Sequence, residues 1–120
     1  MERFSYRVLE MEDFEMLVIV FDEEKYSVLA TFLESDVIPF EEWIKSDFDR
    51  VLSGQSDYWE INGNICHVEI KPDQTKVFDN LVESDEEYFS TCCEVDTKEL
   101  RQLIDEWCDK VREFKSKRLK

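Results

Sequence analysis

Glycine and proline are scarce in this chain, with two of each in 120 residues. That scarcity excludes a flexible or proline-rich linker, and no repeat or low-complexity segment interrupts the sequence. The two glycines, Gly54 and Gly63, stand nine residues apart, so no glycine-rich loop is available to cradle a phosphate. Long apolar runs are missing too. The longest, Met16 to Phe21, has the length of a strand and falls far short of the ~20 residues a membrane helix needs. Met1-Glu2-Arg3-Phe4 carries neither the basic start nor the apolar stretch of a secretory signal. These absences together set the expectation of a cytoplasmic protein.

Histidine occurs once, at His67. A positioned acid–base pair is therefore hard to build, and neither a Ser-His-Asp nor a Cys-His constellation can be argued. Cys66 is its neighbour, but adjacent residues on a strand face opposite ways. The four cysteines, Cys66, Cys92, Cys93 and Cys108, form no C-x-x-C pair. The adjacent Cys92-Cys93 suit one tetrahedral metal site poorly, and in a reducing compartment free thiols are expected.

What is plentiful is negative charge. Thirty acidic residues oppose fifteen basic ones, for a net charge of -15. Four of the basic residues sit in the last six positions, Lys115 to Lys120, so residues 1–114 carry 11 basic and all 30 acidic residues, or -19. The basic tail complements a helix C-terminus. The acidic body repels nucleic acid and anionic membranes and attracts basic partners. With 42% hydrophobic and 13% aromatic residues the chain is no disordered acidic tail. Its length fits one domain over 1–120, burying about two-thirds of its unfolded surface.

Hydrophobic periodicity predicts the elements. Residues 4–10 alternate as a strand. Residues 14–21 are apolar on both parities, which predicts a central strand covered on both faces. Residues 26–33, with Tyr26, Val28, Ala30 and Phe32 alternating, predict a third strand in an antiparallel meander. Pro39 suits the first turn of a helix. Phe40, Trp43, Ile44, Phe48, Val51 and Leu52 trace its apolar face, and Gly54 is placed to end it. Tyr58–Ile61 and Ile65–Ile70 flank Asn62-Gly63, the signature of a type I′ hairpin turn. Lys71-Pro72-Asp73-Gln74 makes the next turn, Thr75–Val82 a further strand, and residues 83–87 an acidic loop. Asp96 and Glu99 imitate a capping box for a final helix. Its apolar stripe is Leu100, Leu103, Ile104, Trp107, Cys108, Val111 and Phe114. The expected fold is α+β, with about six antiparallel strands in βββ-α-βββ-α order and two helices packed on the sheet.

Candidate sites are few. The acidic groups Glu10/Glu12/Asp13, Asp22/Glu23/Glu24, Asp47/Asp49 and Asp85/Glu86/Glu87 lack the spacing of a Ca²⁺ loop, so no metal or cofactor is expected. His67 shares its parity with Glu69 and reads as a surface histidine, with Cys66, Val68 and Ile70 facing the core. Glu94 and Asp96 oppose any activation of Cys92 or Cys93. Tyr58 and Trp59 face opposite ways, which leaves one of them exposed. Tyr88-Phe89 follow the acidic residues Asp85, Glu86 and Glu87 directly. Two readings of that pair stand side by side: a docking point for Arg or Lys, and a Phe89 tucked into the core.

The stretch Tyr58-Trp59-Glu60-Ile61-Asn62-Gly63-Asn64, then Val68-Glu69-Ile70, an acidic loop and Val95-Asp96-Thr97-Lys98-Glu99-Leu100 before a helix with Trp107, resembles the C-terminal half of small bacterial immunity proteins. These accompany polymorphic toxins, contact-dependent growth inhibition systems among them. The resemblance covers about residues 58–114. It implies a non-enzymatic cytoplasmic toxin inhibitor that binds a cognate toxin domain, often a nuclease. A nuclease needs a basic groove for phosphate, and an acidic, aromatic-studded face complements it. The candidate partner-binding residues are Asp85, Glu86, Glu87 and Tyr88, with the turn Asp22-Glu23-Glu24 as a second group. The alternatives are an acidic adaptor or regulatory protein with a basic partner and no toxin, and a small enzyme using carboxylates distant in sequence.

Overall fold

The computed structural model describes residues 4–118, Arg118 by its backbone alone. The fold is α+β. Strands β1 (Phe4–Glu10) and β2 (Glu15–Phe21) form an antiparallel hairpin of their own. A 3₁₀ turn (Glu24–Tyr26) leads into helix α1 (Ser27–Phe32), which widens into a π-helical turn over Leu33–Val37. Helix α2 (Glu41–Leu52) follows. Strands β3 (Trp59–Asn62), β4 (Cys66–Ile70), β5 (Gln74–Asp79) and β6 (Cys93–Asp96) build a second antiparallel sheet in the order β3-β4-β5-β6. The short helix α3 (Asp85–Ser90) lies between β5 and β6, and α4 (Thr97–Arg118) closes the chain. Among the described residues no helix is long and apolar enough to cross a membrane.

The single six-stranded sheet in βββ-α-βββ-α order is thus corrected to two sheets, of two and four strands, with four α-helices. The largest change falls on residues 26–33, which are helical. Their apparent alternation is also part of a 3.6-residue pattern. Leu29, Phe32, Leu33, Asp36 and Val37 are all buried, at the i, i+3, i+4, i+7 and i+8 positions of a helix face. A short apolar run satisfies both periods, and here tertiary packing chose the helix. Without that third strand, β2 pairs with β1 alone. Its Val18 on one face and Ile19 and Phe21 on the other are buried, but Met16 at its start is exposed, so it is an edge-paired strand covered on both faces only toward its end. At its open edge the Ile19 N–H donates to Glu34 Oε2 at 3.0 Å.

Helix α2 begins at Glu41, and Pro39 precedes it in a turn. Its face is as expected at Ile44, Phe48 and Val51, but Trp43 is 69% exposed. Gly54, with φ +87°, is the C′ residue. The final helix is capped by Asp96, whose carboxylate accepts from the Glu99 N–H at 2.9 Å. Five of its stripe residues, Leu100, Leu103, Ile104, Trp107 and Cys108, are buried to 3% exposure or less. Of the basic tail, Lys115 and Lys117 lie on its last turn, whereas Leu119 and Lys120 fall outside the described residues. β5 ends at Asp79, not at Val82, and residues 85–87 are the first turn of α3 rather than a loop. Ser84-Asp85-Glu86-Glu87 gives the reason: Ser84 Oγ accepts from the Glu87 N–H at 3.1 Å, half of a capping box.

Helix α1 packs against both β2 and β5, while α2 and α4 pack on each other and on the four-stranded sheet. The shared core holds Phe32, Leu33, Phe48, Val68, Ile70, Ile104 and Trp107. The Trp107 indole N–H donates to the Leu33 carbonyl at 2.8 Å, and Tyr6 of β1 stacks on the same ring at 6.2 Å.

The β3–β4 connection departs from the expected type I′ turn, since neither Asn62 nor Gly63 has positive φ. The last paired residues are Asn62 and His67, the Gly63 N–H donates to the Cys66 carbonyl at 2.9 Å, and the turn, shifted to Asn64-Ile65, closes on Asp36 of the π-helical turn. That carboxylate is fully buried. It accepts from the Ile65 N–H at 3.1 Å and the Cys66 N–H at 2.9 Å. Any Cβ at position 63 would collide with it, so this glycine serves close approach rather than an unusual dihedral. Asp36→Ala is expected to cost about 2–4 kcal/mol, because two backbone donors lose their acceptor. Gly63→Ala is expected to cost about 1–3 kcal/mol by overpacking. Urea unfolding followed by tryptophan fluorescence measures both. Losses within the ~0.5 kcal/mol of ordinary surface changes would show that the loop does not depend on this clasp.

Candidate binding face

Alternation along the four-stranded sheet sends Cys66, Val68, Ile70, Thr75, Val77, Cys93 and Val95 into the core. The other parity forms the outer face: Glu60 and Asn62 on β3, His67 and Glu69 on β4, Lys76 and Phe78 on β5, and Glu94 on β6. The register places Glu60 opposite Glu69, Asn62 opposite His67, and His67 opposite Phe78.

Helix α3 covers one corner of this face. Tyr88 stacks on Phe78 with centroids 4.8 Å apart, and Phe89 meets both rings edge-on, at 6.1 and 5.2 Å. Phe78 is thereby buried, while Phe89 remains 65% exposed. Of the two readings of Phe89, core or surface, the surface one holds. Tyr58 is exposed and its hydroxyl donates to Glu60 Oε1 at 2.5 Å, a bond that raises the phenol pKa. Trp59 is half-buried beneath the Arg50 guanidinium, 4.3 Å from its ring centre. The Tyr88 hydroxyl is also pushed up, first by burial and then by the charges of Glu69, Cys92 and Glu60. The face therefore combines aromatic rings with carboxylates in direct electrostatic contact.

The sequence-derived candidates occupy two places. Asp85, Glu86 and Glu87 are exposed at the start of α3, and Tyr88 is half-buried beside them. Asp22, Glu23 and Glu24 are exposed between β2 and α1, where Glu23 pairs with Lys25 at 3.2 Å. Among the described residues no hydrogen bond or ion pair joins the two groups. The sequence reading missed Glu60, His67 and Glu69 as one cluster, because a two-residue turn at Asn62-Gly63 gives a different strand register. It also missed the groove of about 340 Å³ between α2 and β3, lined by Phe40, Trp43, Asp47, Trp59 and Glu60.

The cysteines are all unpaired. Burial pushes the thiols of Cys66 and Cys93 up to about 12 and that of Cys108 to about 11, so these three remain protonated at neutral pH. Cys92 is half-buried and donates to the Phe89 carbonyl.

An immunity protein of Bacillus cereus is 42% identical to this chain over 92 residues, 77% of this chain and 76% of the relative. The chain belongs to that immunity protein family. No protein-family model matches it, and no solved structure matches it.

Phe78 and Phe89 separate packing from surface within this immunity protein. Phe78→Ala removes a buried ring and is expected to cost about 3–5 kcal/mol. Phe89→Ala is expected to cost within about 0.5 kcal/mol. Thermal and urea unfolding of the two variants check the difference. Equal losses would mean that Phe89 is a packing residue.

Proposed function

We propose that this immunity protein neutralises a toxin domain by stoichiometric binding, not by catalysis, through the acidic and aromatic surface formed by α3 and the outer face of β3–β5. The observation that carries the reading is the charge pattern around α3. Between Lys76 and Lys98 there are seven acidic residues and no basic one, and that tract surrounds the exposed Phe89. Aromatic residues are enriched at protein interfaces, whose rims are polar.

The partner that best fits is a basic domain, and a nuclease with its phosphate-binding groove is the foremost example. In this reading Asp85, Glu86 and Glu87 occupy part of that groove, and Tyr88 and Phe89 pack against Arg or Lys side chains. Asp22, Glu23 and Glu24 form a secondary contact. The system is a polymorphic toxin system, of which contact-dependent growth inhibition is one kind, and the immunity protein acts in the cytoplasm, in keeping with its unpaired cysteines. The acidic-adaptor alternative predicts no such toxin.

The test is binding and protection against the toxin encoded beside this gene. Wild-type protein should bind it one to one and restore growth of cells that express it. Combined Asp85→Lys, Glu86→Lys and Glu87→Lys should abolish protection. Phe89→Ala, which leaves the charge intact, should weaken binding by at least about tenfold, as hot-spot truncations do. The association rate should fall at least tenfold from low to high salt, the mark of steering between unlike charges. Full protection by the charge-reversed variant would remove this surface from the interface. No binding to the adjacent toxin would remove the reading altogether.

A further inference from the structure

We propose that Glu60, His67 and Glu69 form a zinc site on the outer face of the four-stranded sheet. Glu60 and Glu69 are direct cross-strand partners on β3 and β4. His67 lies two residues before Glu69 on the same strand and the same face. One ligating atom from each of the three lies within 4.8 Å of the other two.

The hydrogen bonds around the ring decide what this convergence means. His67 Nδ1 lies 2.8 Å from Asn62 Oδ1. An amide oxygen only accepts, so Nδ1 carries the ring proton. That leaves Nε2 as the ring atom turned toward the carboxylates, 3.5 Å from Glu69 Oε2. Glu60 adds a second carboxylate from across the ladder, although like charges directly opposite one another are unfavourable. The basic residue nearest in the register does not resolve this, because Lys76, opposite Glu69 on β5, is 3.9 Å from Glu94. A metal cation bound by the three groups would offset the repulsion between the two carboxylates.

The donor set selects the cation. One imidazole and two carboxylates are the mixed nitrogen and oxygen ligands of a Zn²⁺ site with an open position, whereas Mg²⁺ and Ca²⁺ favour oxygen alone. Bonds of about 2.0–2.2 Å at tetrahedral angles separate ligand atoms by roughly 3.4 Å. The Nε2–Oε2 pair already has that spacing, and the Glu60 ligand atom lies within 4.8 Å of both. The surroundings match those of a metal ligand set. Asn62 fixes the His67 tautomer and the Tyr58 hydroxyl orients Glu60, as outer hydrogen bonds do around protein-bound zinc. The fourth position opens to solvent. The site stands whether or not a toxin docks beside it.

Titration calorimetry with zinc chloride on the tag-free, chelator-treated protein tests this. Wild type should bind one zinc ion and melt at a higher temperature in its presence. His67→Gln and Glu69→Gln should lose the binding and the rise in melting temperature, while melting as wild type does in chelator. Asn62→Ala, which frees the ring without removing a ligand, should weaken affinity by about 10–100-fold. Cys92→Ser should change nothing. Cobalt in place of zinc should give visible bands without the strong near-ultraviolet absorption of a thiolate ligand. A rival outcome is that His67 simply takes up a second proton and pairs with the carboxylates. Zinc would then bind wild type no better than His67→Gln, and the site would be refuted. A thiolate band would refute it as well, by placing the ion on cysteine.

Discussion

The structure hangs on one buried carboxylate. Asp36 sits in the π-helical turn that ends the α1 segment and holds the β3–β4 loop by two backbone N–H groups. Three residues away along the same turn the Leu33 carbonyl takes the Trp107 indole proton, and two residues away Glu34 takes the Ile19 N–H of the hairpin. One short helical segment therefore bonds to both sheets and to α4. Burying a carboxylate is costly unless its lone pairs are satisfied. The loop that satisfies this one must approach so closely that only glycine fits at position 63. The sheet that carries the candidate face is positioned by that requirement.

Charge is partitioned by the same architecture. Three basic residues, Lys45, Arg101 and Arg112, are occupied between α2 and α4. Glu41 binds Lys45 at 2.6 Å and Arg112 at 2.8 Å, Arg101 binds Asp49 and Asp105, and Lys45 also reaches Asp105. These contacts hold the Glu41 carboxyl below its ordinary range, with the Arg112 hydrogen bond as the largest cause. Individually such exposed or partly exposed pairs add little stability. Their larger consequence is distribution. The helical side of the molecule is locally paired, while the tract from Asp79 to Asp96 has no basic residue of its own. The net charge of -15 is thus expressed unevenly, which is what steering toward a basic partner requires.

Elements with a long or single-valued pattern were legible in the sequence: the final helix with its Asp96 cap, helix α2 with Gly54 after it, the turn at Lys71–Gln74, and the inward set Cys66, Val68 and Ile70. Failures came where two local signals compete. Residues 26–33 satisfy both strand and helix periods, and the deciding facts, the burial of Leu29, Leu33 and Asp36, are tertiary. At Asn62-Gly63 the local signal favours a two-residue turn, which would pair Glu60 with Ile65. The Asp36 contact goes with a turn shifted to Asn64-Ile65, flanked by the bond from the Gly63 N–H to the Cys66 carbonyl, and Glu60 pairs with Glu69 instead. That shift of register is why the Glu60–His67–Glu69 cluster is invisible in the sequence. The candidate residues of α3 were found by composition, but their helix was missed although Ser84 and Glu87 have capping-box spacing.

Helix α3 itself argues for a role outside folding. Six residues are well below the length at which a helix is stable alone. None of its residues is buried, and it attaches to the sheet by the stacking of Tyr88 on Phe78 and the edge-on contact of Phe89 with the same ring. The acidic residues of its first turn favour the helix dipole, but by only about 0.3–1 kcal/mol each. Beyond the rings that cover Phe78, packing does not account for the run of three exposed carboxylates at its surface; the proposed recognition of a basic partner would. The same rings that fasten α3 to the sheet leave Phe89 projecting among carboxylates, so a partner that packs on Phe89 also presses α3 onto Phe78 and orders the face it binds.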